Sequence, residues 1–244
     1  MADEEKESSG LWYGILDAAL KIPGARVDRV SFLEKEFAKC SGEELSRLLD
    51  LGTGKAGISL DALDKVAEGV IRSHTTIVTG SSFLAGLPGG IAMAGTIPAD
   101  LTQYYYHVIV IAQKLAYIYG WPDLQVDGEG EQDKDAFLAV LTIFIGIMSG
   151  AKEAASVLQP MSELLRTETT KKLSVTALAK VGLPQIAKQV ARVLGANLAK
   201  QGLAKGIGKI VPLIGGAISG AVTIATFLPM ANTLKDALRN QVIK

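Results

Sequence analysis

The chain has 244 residues, 48% of them hydrophobic and 20% charged, and its 25 basic and 25 acidic side chains cancel to a formal net charge of zero. That length supports a full hydrophobic core without covalent staples, and the low charged fraction with positive mean hydropathy points to more apolar surface than a soluble core hides. One cysteine, Cys40, excludes an internal disulfide and any multi-cysteine metal site and reads as a small hydrophobe in a reducing compartment.

Along the chain, helix signals dominate and period-two strand patterns are nearly missing. Met1 to Gly10 is acidic and polar, without the basic and apolar regions of a secretory signal, so the expected location is the cytoplasm. Leu11 to Leu20 and Arg29 to Ala38 have helical spacing, separated by the breaker Pro23-Gly24. Ser41 with Glu44 forms a capping box for Glu43 to Leu51, which Gly52 closes. Ser59 caps a longer helix to about Ser73, with Leu60, Leu63, Val66 and Val70 in one stripe. Thr75 to Ala99 is uncharged and rich in Gly, Ala and Pro. After the Pro98 break, Asp100 and Gln103 have capping-box spacing and open a helix through Tyr119 to Gly120. Trp121 to Lys134 reads as an acidic, turn-rich loop, Ala136 to Ala151 as an apolar helix, and Lys152 to Leu165 as an amphipathic one interrupted at Pro160.

Net neutrality conceals a polarised sequence. From Glu168 to Asp236 no acidic residue intervenes, while nine basic ones do: Lys171, Lys172, Lys180, Lys188, Arg192, Lys200, Lys205, Lys209 and Lys235. Met1 to Glu168 compensates with a formal charge of −10. Lys188 and Arg192 lie four apart, as do Lys205 and Lys209, with Ile186, Val190, Val193, Leu194 and Leu198 assigned to the opposite side. This basic amphipathic segment leads into Ile210 to Leu234, which carries no charge. Such a segment attracts anionic headgroups by about 1 kcal/mol per Lys or Arg near the surface. Interleaving with Leu, Val, Ile and Ala rather than stacking aromatics argues against nucleic acid as a partner.

Glycine spacing ties the two uncharged stretches together. Gly86 with Gly90, Gly146 with Gly150, Gly202 with Gly206 and Gly216 with Gly220 are small-x-x-x-small pairs that let helix backbones approach closely. They fit tightly packed soluble helices and equally a glycine-lined hairpin entering a bilayer. Pro212 and Pro229 leave Leu213 to Leu228 as the uninterrupted run, about 24 Å of helix against a hydrocarbon thickness of roughly 30 Å.

Other constellations carry less. Gly52-Thr53-Gly54-Lys55-Ala56-Gly57 matches G-x-G-x-x-G and looks like the first motif of methyltransferases, but a capped helix precedes it where a strand is needed. Asp127, Glu129, Glu131 and Asp133 alternate like calcium-loop ligands, yet Gln132 replaces the required Gly and Leu138 the closing Glu. His74 and His107 lie 33 residues apart with no Cys or His cluster, which does not fit zinc, and neither has an evident triad partner. Tyr104-Tyr105-Tyr106-His107 spans three helix faces and reads as packing and interfacial anchoring.

Ala67-Glu68-Gly69, the run Gly86 to Gly95, Ile97-Pro98-Ala99-Asp100, Tyr105 and the closing Ile111-Ala112 through Ile118-Tyr119-Gly120 resemble the EcsC protein family, bacterial proteins whose founding member is encoded beside an ABC transporter. Ile210 to Ala217, with Gly220-Ala221 and Phe227, is similar to that family's second Gly-rich block, although Thr223 stands where a polar amide residue is expected. The resemblance covers most of the chain after about Asp28. It implies an all-helical, non-enzymatic protein associated with membranes or transport, and supplies no catalytic residues.

The reading is an all-α multi-helix bundle with two Gly-rich apolar helical segments packed together. Residues 1–27 form an acidic tail and first helix, and residues 28–244 one helical domain. Pro184 to Leu234, assisted by Thr75 to Pro98, is expected to bind the inner face of a membrane reversibly through Lys188, Arg192, Lys200, Lys205 and Lys209. Gly86, Gly90, Gly216 and Gly220 are assigned to helix packing, and Pro98, Asp100 and Gln103 to the cap. No metal or cofactor is expected; the partners are anionic lipid, a membrane transporter and further copies of the chain. The alternatives are a soluble module holding a lipid or other apolar molecule between Gly-rich helices, and a methyltransferase-like enzyme.

Overall fold

The computed structural model describes residues 2–79, 99–124, 130–167, 175–199 and 220–242. Among them are ten helices and no strand: α1 (Ala2–Leu20), α2 (Arg29–Glu36), α3 (Gly42–Leu51), α4 (Leu60–Thr79), α5 (Ala99–Ile118), α6 (Glu131–Met148), α7 (Lys152–Thr167), α8 (Val175–Lys180), α9 (Leu183–Leu198) and α10 (Gly220–Arg239). The protein is therefore an all-α multi-helix bundle.

Local chemistry sets many of the boundaries. The capping box of α3 is formed, with Glu44 N–H donating to Ser41 Oγ and Ser41 N–H to the Glu44 carboxylate, and Gly52 closes the helix at φ +84°. Ser59 Oγ accepts from Ala62 N–H at the start of α4. Gly120 and Gly150 end α5 and α6 in the left-handed region, at φ +90° and +77°. In each case the next N–H reaches back five residues, Trp121 to Ala116 and Ala151 to Gly146, so the last carbonyls are satisfied by a Schellman turn.

Three sequence expectations are corrected here. Pro160 does not interrupt α7, nor does Pro229 bound an apolar run, since α7 and α10 pass through them. The carbonyls left without a helical partner belong to Ser156 and Ala225, both exposed residues that water can serve. Second, the acidic start of the chain is helical from Ala2, because its carboxylates sit in the first turn, where the helix dipole favours them. The same effect opens α6 at Glu131 rather than Ala136, with Glu131 and Asp133 in its first turn. Third, α4 runs on to Thr79.

Two helices are core on nearly every side. From Val108 to Trp121 only Lys114 escapes full burial, and α6 is buried from Phe137 to Met148 except at Leu138. A helix that is apolar all round belongs in the centre of a large domain, and α1, α2, α4 and α10 lie against α5, while α7, α8, α9 and α10 lie against α6. No helix among the described residues is long and apolar enough to cross a membrane.

Among the described residues glycine permits close helix approach at two positions. A Cβ on Gly146 would come within 2.6 Å of Val190 Cγ1 and 2.7 Å of Ala154 Cβ, so α6 closes on α9 and α7 there. A Cβ on Gly195 of α9 would overlap the Ser8 carbonyl of α1. Because backbone cannot swing aside, Gly195→Ala should destabilise by about 3 kcal/mol. Gly10→Ala, in the exposed interior of α1 with nothing near its would-be Cβ, should instead stabilise by about 0.5–1 kcal/mol. Urea melts of the two variants check the contrast; equal shifts would mean α1 and α9 do not meet through backbone.

Candidate functional site

The concentration of buried polar chemistry lies along α5. Gln113, fully buried, donates Nε2–H to the carbonyls of Ala25 (2.7 Å) and Ile109 (3.0 Å) and accepts from Val27 N–H (3.1 Å), clasping the chain between α1 and α2. The Tyr117 hydroxyl lies 3.3 Å from the Asp123 carboxylate and accepts from Leu124 N–H. Arg29, 7% exposed, donates to the carbonyls of Trp121 and Leu49. Thr53 Oγ–H donates to Ile118 O at 2.7 Å. The Gly52–Gly57 loop is thus where the end of α3 docks on the end of α5, following a helix and not a strand.

Further along, α4, α5 and α10 share one seam. Tyr119 donates its hydroxyl to Asp64 Oδ1 (2.8 Å), and Arg239 donates Nε–H to Asp64 Oδ2 (2.7 Å). Lys235 lies 3.6 Å from Glu68. At the other end His107 Nδ1 is 3.2 Å from His74 Nε2, and Phe227 stacks on the His74 ring at a centroid distance of 5.8 Å. Tyr104 donates its hydroxyl to Met230 Sδ at 3.2 Å. These contacts fix direction: α4 runs antiparallel to α5 and α10, which are parallel to each other. Thr79, Ala99 and Gly220, the ends of the described chain around the two Gly-rich stretches, therefore lie at one end of this three-helix seam.

Environment decides the charge states. Burial, the facing His107 ring and Lys114 hold His74 down at about 3, and burial with Lys114 holds His107 at about 4, so both rings are neutral at pH 7. Burial pushes the Asp64 carboxyl up, but the hydrogen bonds from Arg239 and Tyr119 and the charges of Arg239 and Lys235 outweigh it, leaving the carboxyl below its ordinary value. Burial and the Asp64 carboxylate push the Tyr119 phenol up.

Of the residues singled out from sequence, Lys188 and Arg192 are on the exposed face of α9, four residues apart. Arg192 is already engaged, its guanidinium 3.0 Å from the Glu5 carboxylate of α1. Val193, assigned to the buried side, is 42% exposed and belongs with them. The physical reason is its place in the turn: α1, α6 and α7 cover the stripe through Ala187, Val190, Ala191, Leu194 and Leu198, and Val193 falls outside that stripe. Asp100 is the second residue of α5 and Gln103, half-buried, its fifth. Gly220 is the first residue of α10. Lys200, Lys205, Lys209, Gly86, Gly90, Gly216 and Pro98 lie outside the described residues.

Sequence reasoning passed over the His74–His107 contact, treating each ring alone. The available signal was that both fall on the apolar sides of adjacent helices, in a chain with two histidines in all. Among the described residues no group of three or more His, Cys, Asp or Glu side chains could hold a metal ion. Comparison with protein-family models, with curated proteins and with solved structures gives no match.

The Tyr119–Asp64 contact carries a pH signature. A carboxyl held low in the fold contributes stability that is present above its unfolded value near 3.9 and is lost as pH falls through the folded value. Tyr119→Phe should therefore cost about 1–2 kcal/mol at pH 7, where the acceptor is charged, and less as pH falls through the folded value of the carboxyl. Chemical denaturation across an acid series, carried down until the fold is lost, measures the difference; a cost that never falls would show that the phenol does not serve the carboxylate.

Proposed function

We propose that this is a non-enzymatic, membrane-associated helical protein that binds anionic lipid reversibly at the inner face of the membrane and acts as a transport accessory or membrane-remodelling factor. The observation that carries the reading is the acid-free stretch between Glu168 and Asp236 with its nine basic residues. The exposed stripe of α9, Gln185, Lys188, Gln189, Arg192 and Val193, supports it by offering cations beside an apolar side chain, the composition that suits the headgroup region. No ion pair among the described residues occupies Lys180 or Lys188, and both are exposed. Arg192 contributes less free charge because Glu5 shares it. The resemblance to the EcsC family supports the transport side of the reading.

Sedimentation with vesicles tests it. Binding to phosphatidylserine-containing vesicles should exceed binding to phosphatidylcholine ones and weaken with salt, which screens exposed charge over about 10 Å at 0.1 M. Lys188→Glu should lower anionic-vesicle affinity roughly tenfold or more, at about 1 kcal/mol per unit of charge. Lys39→Glu, an equal change in the acidic part of the sequence, should leave it unchanged. Equal binding to both lipids at low and high salt would sink the electrostatic basis of the reading.

A further inference from the structure

The chain's only two histidines meet inside the fold. They are 5% and 3% exposed, with ring centroids 5.0 Å apart in an edge-on arrangement. Their place in the seam is specific. His74 is five residues from Thr79, about 7.5 Å along α4, near the end of the seam that holds Thr79, Ala99 and Gly220. There the three helices are held by His74 against His107, by Phe227 on His74 and by Tyr104 on Met230. The opposite end is held by ions, Asp64 with Arg239 and Tyr119, and Glu68 with Lys235. One seam thus has two fastenings of opposite response to acid.

The histidine fastening needs one ring nitrogen to accept a hydrogen bond. With both rings protonated, two N–H donors and two positive charges would face each other at 3.2 Å in an apolar seam. Among the described residues the Phe227 ring stacked on His74 and the Tyr106 ring against His107 offset a part of those charges, while the charge acting on both rings is positive. From α5 the nearest charge is Lys114, itself positive, and the flanking Tyr104, Tyr105 and Tyr106 are phenols held above their ordinary range by burial. Phe227 and Met230 face the seam from α10, whose Lys235 and Arg239 pair lower down with Glu68 and Asp64, leaving Asp236 beside Lys235. Trp12 of α1 lies edge-on to Tyr105 and donates to Thr142 of α6. From α2, Glu36 and Lys35 act on Lys114, not on the rings.

We propose that the His74–His107 pair is a proton-operated latch: mild acid charges the two rings and frees the Phe227 end of α10 from α4 and α5, while the Asp64–Arg239 end holds as the hinge. The latch regulates the membrane binding proposed above and rests on that reading for its lipid step alone. Opening uncovers Phe227, buried against His74 in the closed seam, at the end from which both uncharged stretches of the sequence depart. The ionic hinge survives because the Asp64 carboxyl titrates below its ordinary value. An imidazole released to water titrates near 6.5, so a fall from pH 7 to pH 5 favours the open form about 25-fold per ring and on the order of 500-fold for the pair.

Hydrogen exchange read by mass spectrometry, on the full chain without lipid and corrected for intrinsic rate, tests the latch. Between pH 7 and pH 5 the opening of residues 225–232 should rise at least 100-fold, while residues 137–148 of α6 stay protected. In H74Q/H107N, which keeps a polar contact without a titrating ring, and in H74F/H107L, which keeps an apolar one, the step should vanish in whichever variant folds. Equal α10 exchange of the parent protein at both pH values overturns the latch. So does an undiminished step in a folded variant, or loss of α6 protection together with α10. Vesicle sedimentation at pH 7 tests membrane binding separately, so failure of one is not mistaken for failure of the other.

Discussion

The structure depends on the burial of α5 from Val108 onward, where Lys114 alone is not fully buried. A helix in that position cannot turn its polar side chains to water, so each has to find a partner in a neighbouring element or cost about 1–3 kcal/mol unsatisfied. Four groups in and just beyond α5 each reach a different neighbour. His107 meets α4, Gln113 holds the chain between α1 and α2, Tyr117 faces Asp123 in the following loop, and Tyr119 reaches Asp64 at the start of α4. Tyr104 adds α10. The apolar surface of α5 drives assembly without direction, and these few bonds fix which helix lies where and in which register.

The same arrangement alters the meaning of the charge pattern. Read linearly, an acidic part and a basic part are separate. In the fold α1 lies along α9, with Gly195 removing the side chain that would hold their backbones apart, and Glu5 comes within 3.0 Å of Arg192. Lys235 is likewise drawn in, its side chain 15% exposed beside Glu68 and Asp236. The formal +9 of the acid-free stretch is therefore larger than the charge it presents outward. What stays outward on the described helices is Lys180 and Lys188, with Val193 adding apolar surface beside them.

Features set by short-range chemistry were legible in the sequence. Ser41 with Glu44, Ser59, Gly52 and Gly120 mark helix ends because the groups they satisfy lie within five residues, and the all-α class follows from periodicity over similar distances. Helix interiors at Pro160 and Pro229 were not legible, because a proline is tolerated when its orphaned carbonyl faces water, and exposure is a tertiary fact. The candidate site was least legible. Gln113, Asp64 and His74 act on partners between 33 and 175 residues away, a separation no local pattern records. Gly195 stood outside every glycine pair noted, since its close neighbour is the backbone at Ser8 and not a second glycine.

Two neutral imidazoles are a costly way to join helices that apolar side chains would join more firmly. Each loses its hydration, the pair recovers one hydrogen bond, and the rings' low affinity for protons makes the fold pay in acid what it keeps at neutrality. Elsewhere in the seam the chain uses Leu, Ile and Val without hesitation, so the composition available did not force histidine here. The ionic contacts at the far end of the seam titrate on the other side of mild acidity, through a carboxyl held below its ordinary range. A seam whose two ends differ in this way separates local opening from global unfolding: between about pH 4 and 6.5 the linkage acts on one end alone. That asymmetry, and not the strength of either contact, is what distinguishes the α4–α5–α10 seam from the apolar packing between α6 and α9.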